Sequence, residues 1–450
     1  MSIFSALTTA VIGLQSQSFA LEAISGNIAN SQTVGFKRVD TAFEDMVTQS
    51  VPRTQQAGSV SAFSRGTTTI AGSTTATGVS TNFALDGSGF AAVRQRMDSG
   101  GPTPSFSDQM FYTRRGDFQV DRSGYLVNGT GMYLSGYPID APSGTPKGST
   151  PDVIKVDVGL SPAKATSTLS YSANLPASAR TVAVANGSAG SDVWAAARGT
   201  TPASITPITT ASSASFADNS ISGQSARLYD AKGTPVDLEF RWTKVEARAT
   251  GGTTWGLYYN ATPGHAAQDA DWTLATACSF ASNGTLIDPI APVSVNLSSV
   301  GLGTVALDLT DGRLTQFADA TGEAKVSRLS QDGYASGVLQ GVSIGDSGRV
   351  VASFSNGQTQ ELAQIAVARF NAPDKLARGS GGAFAQTPES GDPLFNGQGV
   401  SFTSGALEGS NTDVAEEFSK MIVTQQAYSA NTRVVSTAQQ MMQEVMNIMR

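Results

Sequence analysis

The hydrophobic pattern is most regular at the two ends of the chain. From Asn411 to Arg450 there is neither Gly nor Pro, and Val414, Met421, Tyr428, Val435, Met442 and Met449 recur every seventh position. A step of seven returns an α-helix to nearly the same face, so the stretch predicts one long amphipathic helix. Asn411, Thr412 and Asp413 suit its N-cap, and Asp413, Glu416 and Glu417 place negative charge where the helix dipole favours it. At about 1.5 Å per residue it would run about 57 Å, longer than most helices of a compact domain, and so calls for a partner along its length.

The opposite end carries the same pattern: Leu7, Leu14, Leu21 and Ile28 stand at steps of seven, with Phe4 and Val11 between them. Two readings follow from periodicity, a helical hairpin within one chain or assembly between chains. Phe418, Ile422, Val434, Ala438, Met441, Val445 and Ile448 widen the C-terminal apolar surface beyond one seam, so a single partner helix would leave some of it wet. The Met-rich end, Met441, Met442, Met446 and Met449, can repack against several neighbours.

Between the ends the period changes. Residues 31–76 are rich in Thr, Ser, Gly and Gln and read as an extended connector without its own core. From residue 77 to 150, short strands alternate with turns at Asp86-Gly87-Ser88-Gly89, Asp121-Arg122-Ser123-Gly124 and Asn128-Gly129. Residues 329–405 repeat that style, and each block is too small to close a sheet alone, so the two are expected to form one β domain. Residues 151–328 then form an inserted outer all-β domain, with Ala177 to Ser215 as a long surface excursion. Residues 406–450 supply a connector and the last helix, as 1–30 supply the first. The expected fold is mixed: paired terminal helices plus all-β middle and outer domains.

Composition narrows the function. Only 14% of the 450 residues are charged against 40% apolar, a balance seen in extracellular β-rich proteins. A net charge of -7, with no basic cluster interleaved with aromatics, argues against nucleic acid. No apolar run is long enough to span a membrane. The single cysteine, Cys278, excludes an internal disulfide framework or a CxxC site and reads as a small buried apolar residue. No Lys or Arg precedes Lys37, so the basic start of a secretory signal is missing and another export route, or a cytoplasmic protein of unusual composition, is expected.

Candidate chemistry is sparse. Gly87 to Ala92 fits a loose dinucleotide pattern, but no βαβ unit surrounds it, so it reads as a tight turn. The Asp-Gly turns at Asp86, Asp311 and Asp332 lack the alternating oxygen ligands of a calcium loop. His265 is the only histidine and reads as a surface loop residue. No spacing nominates a carboxylate pair for glycoside hydrolysis. No catalytic, metal or cofactor residue is assigned.

The run from Asn27 to Arg38, "NIANSQTVGFKR", and the run from Gly405 through Asp413 and on to Asn431 are similar at both ends together to signatures of the bacterial flagellar axial proteins, the rod, hook and hook-associated proteins. Shorter runs, "RLYDAKG" from Arg227, "GRLTQF" from Gly312 and "QDGYASGVL" from Gln331, together with the length and the insert, resemble the hook branch. The resemblance implies a non-enzymatic subunit that self-assembles into a helical tube, a flexible universal joint between rod and filament. It implies assembly through the sevenfold positions above, with Asn27, Asn30, Gly35, Phe36 and Asn411 serving packing and turn geometry. Its expected partners are further copies of itself, the distal rod, hook-cap and hook-filament junction proteins, and the flagellar export apparatus, which would deliver it outside the cell without a cleaved signal. Two alternatives stand beside it: a distal rod or hook-associated protein, and a secreted β-rich adhesin or polysaccharide hydrolase that trimerises through its ends.

Overall fold

The computed structural model describes residues 3–46, 50–51, 54–55, 59–97, 104–140, 143–156, 159–187, 193–194, 208–247, 252–261, 271–310, 313–395, 397 and 399–448. His265, Asp311 and Met449 lie outside them. Described helices include α1 (Ile3–Ala29), α2 (Val182–Ala185), α3 (Thr210–Asp218) and α4 (Val414–Ile448). The chain divides into two units, one of Met1–Val158, Leu339–Phe354 and Gln358–Arg450, the other of Gly159–Val338 with Ser355–Gly357. The class is mixed, with terminal helices packed on each other and several β-sheets between them in sequence.

In the first unit, strands from two distant stretches share one sheet. Met132–Pro138 pairs on one side with Phe90–Met97 and on the other with Thr359–Ile365, placing Leu134 opposite Val93 and Gly136 opposite Ile365. Alternation explains the join, because Leu134, Val93 and Ile365 are buried in one apolar cluster with Phe83, Phe118 and Val350. The Gly87 turn connects Phe83–Gly87 to Phe90–Met97 with φ +94°, a backbone shape that suits glycine and forms no nucleotide loop. Residues 39–66 differ from a plain extended connector: Val39–Met46 and Ser59–Gly66 form an antiparallel hairpin that packs on α1. The Ser16 hydroxyl donates to the Val60 carbonyl at 3.2 Å, and Phe43, Met46 and Phe63 stay exposed on the hairpin.

The second unit has two five-stranded sheets. One runs through Val293–Asn296, Thr304–Asp308, Thr168–Leu175 and Leu314–Gln316, with Lys325–Gln331 also on Thr168–Leu175. The other runs Ile221–Tyr229, Pro235–Ala247, Thr253–Asn260, Thr273–Phe280 and Leu286–Asp288. They share a core around Tyr171, Trp242, Trp255 and Phe280. Cys278 lies there, fully buried, and burial pushes its thiol pKa up, which keeps it inert. Of the stretch Ala177 to Ser215, most described residues are exposed, but Trp194 and Ile208 are buried. Trp194 and Ile208, apolar anchors in an otherwise Ala-, Ser- and Thr-rich run, join Phe216 just beyond it and Tyr258 and Trp272 in a second small core. Leu160–Ser161 pairs with Gly337–Val338, so the unit's two ends are neighbouring strands.

The core of this unit contains one polar link. The Tyr171 hydroxyl donates to the Gly223 carbonyl at 2.9 Å and accepts from the Trp242 indole N–H at 2.9 Å. Tyr171→Phe leaves both partners buried and unpaired, and a stability loss of about 1–3 kcal/mol is expected in urea unfolding followed by tryptophan fluorescence. Trp194, Trp242, Trp255 and Trp272, the protein's 4 tryptophans, all belong to this unit, so that signal reports it selectively.

Candidate functional site: the anchored helix pair

The helices α1 and α4 pack antiparallel, with Asn27 against Glu417 at one end and Gly13 against Asn431 further along. The buried stripe of α1 is Ala10, Gly13, Ser16, Ala20, Ile24 and Asn27, while that of α4 is Glu417, Thr424 and Ala438. Small side chains let the backbones approach closely: a Cβ on Gly13 would stand 3.0 Å from Asn431 Nδ2. The sevenfold residues named from the sequence flank this seam. Leu7, Leu14, Leu21, Ile28, Met421, Val435 and Met442 are half-buried, and Val414 and Tyr428 are exposed.

Large apolar residues face away from the seam. Phe418 is 50% exposed, Ile422 56%, Val423 64% and Met446 66%, and Phe4 on α1 reaches 66%. Exposed apolar patches of this kind are uncommon on monomeric proteins. Hydroxyl groups among them are already satisfied: Ser419, Thr432, Ser436 and Thr437 each donate to the carbonyl four residues earlier, at 2.9 to 3.0 Å, as Thr424 does within the seam at 2.8 Å. A helix bonded this way can enter an apolar contact without stranding hydroxyl groups.

The motif residues build the anchor at the end of the pair. Asn27 is 2% exposed and uses its whole amide: Nδ2 donates to the Val39 carbonyl and to Glu417 Oε2, both at 2.9 Å, and Oδ1 accepts from Val39 N–H at 2.9 Å. Asn30 Nδ2 donates to the Gly26 carbonyl at 2.9 Å and its Oδ1 accepts from the Thr33 hydroxyl, so it closes the turn after α1. Gly35 has φ +66°, and its N–H donates to the Glu408 carbonyl at 2.7 Å. The Phe36 ring lies under the Arg378 guanidinium at 5.6 Å, and that guanidinium donates to the Lys37 carbonyl. Asn411 Oδ1 accepts from Arg38 N–H at 2.7 Å, and its Nδ2 reaches the Thr67 and Ile70 carbonyls. Asp413 caps α4 by accepting from Ala415 and Glu416 N–H groups.

A buried ionic cluster underlies the anchor, one the sequence pattern did not single out. Glu408 is 1% exposed, with Oε1 accepting from Lys37 Nζ and from Gly72 N–H, and Oε2 from Arg114 at 3.3 Å. Lys37 Nζ also donates to the Ile70 carbonyl at 2.6 Å. Burial lowers the Lys37 pKa, opposed by the Glu408 charge and hydrogen bond. The only signal in the sequence was the position of Lys37 and Glu408 inside the two terminal motifs. Outside the helix pair, a groove of about 640 Å³ lies between Tyr137, Phe395, Val400 and Phe402, but among the described residues no group of His, Cys, Asp or Glu is placed to hold a metal ion. No described helix is long and apolar enough to cross a membrane.

Comparisons with known proteins identify the family. Residues 7–37 match the model "Flagella basal body rod protein", 84–187 "Flagellar hook protein FlgE/F/G D1 domain", 193–334 "Flagellar basal body protein FlaE D2 domain", and 403–448 "Flagellar basal body rod FlgEFG protein C-terminal". The flagellar hook protein FlgE of Escherichia coli is 30% identical over 98% of this chain and 100% of its own. That of Brucella abortus is 30% identical over the full length of both, and that of Salmonella typhimurium 30% over 98% of each. A crystal structure of Helicobacter pylori flagellar hook protein FlgE2 overlaps 73% of this chain and 98% of that one, at 14% identity and a TM-score of 0.49. Relatives of this length set aside the adhesin or hydrolase alternative. The chain belongs to the flagellar hook protein FlgE family, and is a structural subunit of the hook rather than an enzyme.

Proposed function

We propose that the chain polymerises through its helix pair into an open helical tube that serves as a flexible universal joint, carrying torque from rod to filament. The family implies self-assembly with flagellar components. The observation that carries the finer reading is the exposed apolar face of α4, from Phe418 to Met446, on a pair whose mutual seam is small and polar. Covering that face requires further helices, and heterologous contacts that do not close on themselves give tubes. In the same proposal the tube lies outside the cell, delivered by the flagellar export apparatus without a cleaved signal. Its ends meet the distal rod, hook-cap and hook-filament junction proteins.

Electron microscopy of the purified chain under polymerising conditions tests the reading, beside a version trimmed to residues 31–411. Curved tubes are expected from the full chain and none from the trimmed one. Straight tubes would remove the universal-joint reading in favour of a rod-like one, and tubes from the trimmed chain would remove the helices from assembly.

A further inference from the structure

The seam between α1 and α4 is built of similar layers one heptad apart. Gly13 faces Asn431 and Asn27 faces Glu417, while Ala20 and Thr424 border one groove between them. The same spacing brings Ala6 to Ala438, which is 3% exposed. Sliding α1 by one heptad would set Ala20 against Glu417, Gly13 against Thr424 and Ala6 against Asn431. At Thr424 and Asn431 the slide would again place Gly or Ala of α1 against the same α4 residue, so van der Waals packing at these two layers separates the registers weakly.

The slip would also put Gln17 where buried Ile24 stands and break the Ser16 bond to Val60, but the Asn27 layer carries the buried charge. Glu417 is 0% exposed, and Asn27 supplies the hydrogen bond to its Oε2 while Lys420 takes Oε1 at 2.9 Å. In the slipped register an alanine would stand there, leaving Oε2 without that donor. Asn27 would also leave Val39, whose carbonyl and N–H it holds together. The turn after α1 does not forbid the slip, because unwinding the last two turns of α1 releases enough chain to span the added distance of about 10 Å. A buried polar pair in a seam of mostly small residues is the kind of contact that selects one register.

We propose that Asn27 and Glu417 are the specificity-determining pair that fixes the α1/α4 register, and so the set of apolar residues each subunit offers its neighbours. Two cysteine reporters test it in assembled tubes, with Cys278 buried and silent. Ala20→Cys/Thr424→Cys reads the observed register, and Ala6→Cys/Asn431→Cys the slipped one, each scored as intrachain disulfide by peptide mapping of the monomer band. With Asn27 and Glu417 present only the first pair closes. In Asn27→Leu/Glu417→Leu the ratio of slipped to observed cross-link is expected to rise about tenfold. The exchange Asn27→Glu/Glu417→Asn keeps a hydrogen bond and is expected to keep the register.

An unchanged ratio in the leucine variant overturns the proposal, as does an exchange variant that slips equally. Should the leucine variant form no tubes, Asn27→Ala alone is read in its place. The proposal takes its sample from the tube-forming reading: absence of tubes from the unmodified chain ends that reading, whereas an unchanged ratio within tubes ends this one.

Discussion

Replacing Glu408 with glutamine is expected to lower the stability of the first unit by roughly 3–5 kcal/mol. Lys37 and Arg114 have side chains 0% and 2% exposed, and Glu408 is the carboxylate within ion-pair distance of both. The substitution preserves shape and removes charge, so the two cations remain buried without compensation. Urea unfolding followed by far-UV circular dichroism should show the loss, while the tryptophan transition of the second unit stays in place. The deficit should also depend on pH. Burial already lowers the Lys37 pKa from its ordinary 10.5, and without Glu408 it falls further. A lysine whose folded-state pKa lies below its unfolded value contributes stability above the unfolded value and loses it as pH falls through the folded one. The variant should therefore recover toward the unmodified protein as pH rises from about 7 to 10. A deficit that is small, or flat across that range, would mean the cluster is open to water.

Gly35→Ala is the second large effect. Gly35 sits at φ +66°, and a Cβ there would lie 2.8 Å from the backbone carbon of Arg114 and the nitrogen of Arg115. The left-handed backbone costs an alanine about 1 kcal/mol, and the clash can be relieved only by moving main chain. The Gly35 N–H bond to the Glu408 carbonyl is the contact most directly displaced. A total of about 2–4 kcal/mol is expected. Gly131→Ala is the control, since Gly131 also has positive φ, +81°, yet nothing stands within 4 Å of its added Cβ. It should lose only the backbone cost. Equal losses at the two positions would show that the close approach at Gly35 relaxes freely.

Much of this was legible in the sequence, because long amphipathic helices and turn residues leave strong local signals. The sevenfold positions located both helices, and Asp413 marked the α4 cap. What the pattern passed over is the seam. Periodicity reading selects large apolar residues, whereas the buried faces of α1 and α4 are, apart from Ile24, made of small or polar residues such as Gly13, Ala20, Asn27, Glu417 and Thr424. Lys37 and Glu408 were hidden for a related reason: charged residues are ordinarily solvated, and only a tertiary cluster makes their burial tolerable. The hairpin of residues 39–66 was read as a connector because its strands carry few large apolar groups and rely on α1 for support. Trp194, Ile208 and Phe216 are too far apart in sequence to signal the small core they share.

The strand pair that joins Leu160–Ser161 to Gly337–Val338 has an evolutionary consequence. A segment whose entrance and exit are hydrogen-bonded neighbours asks little of the chain that carries it. It can lengthen, shrink or exchange its surface while the two flanking residue pairs stay in register, much as a cassette is swapped in a fixed holder. Selection can thus act on the surface of this one segment and on the fold of the chain that carries it, with few mutations serving both.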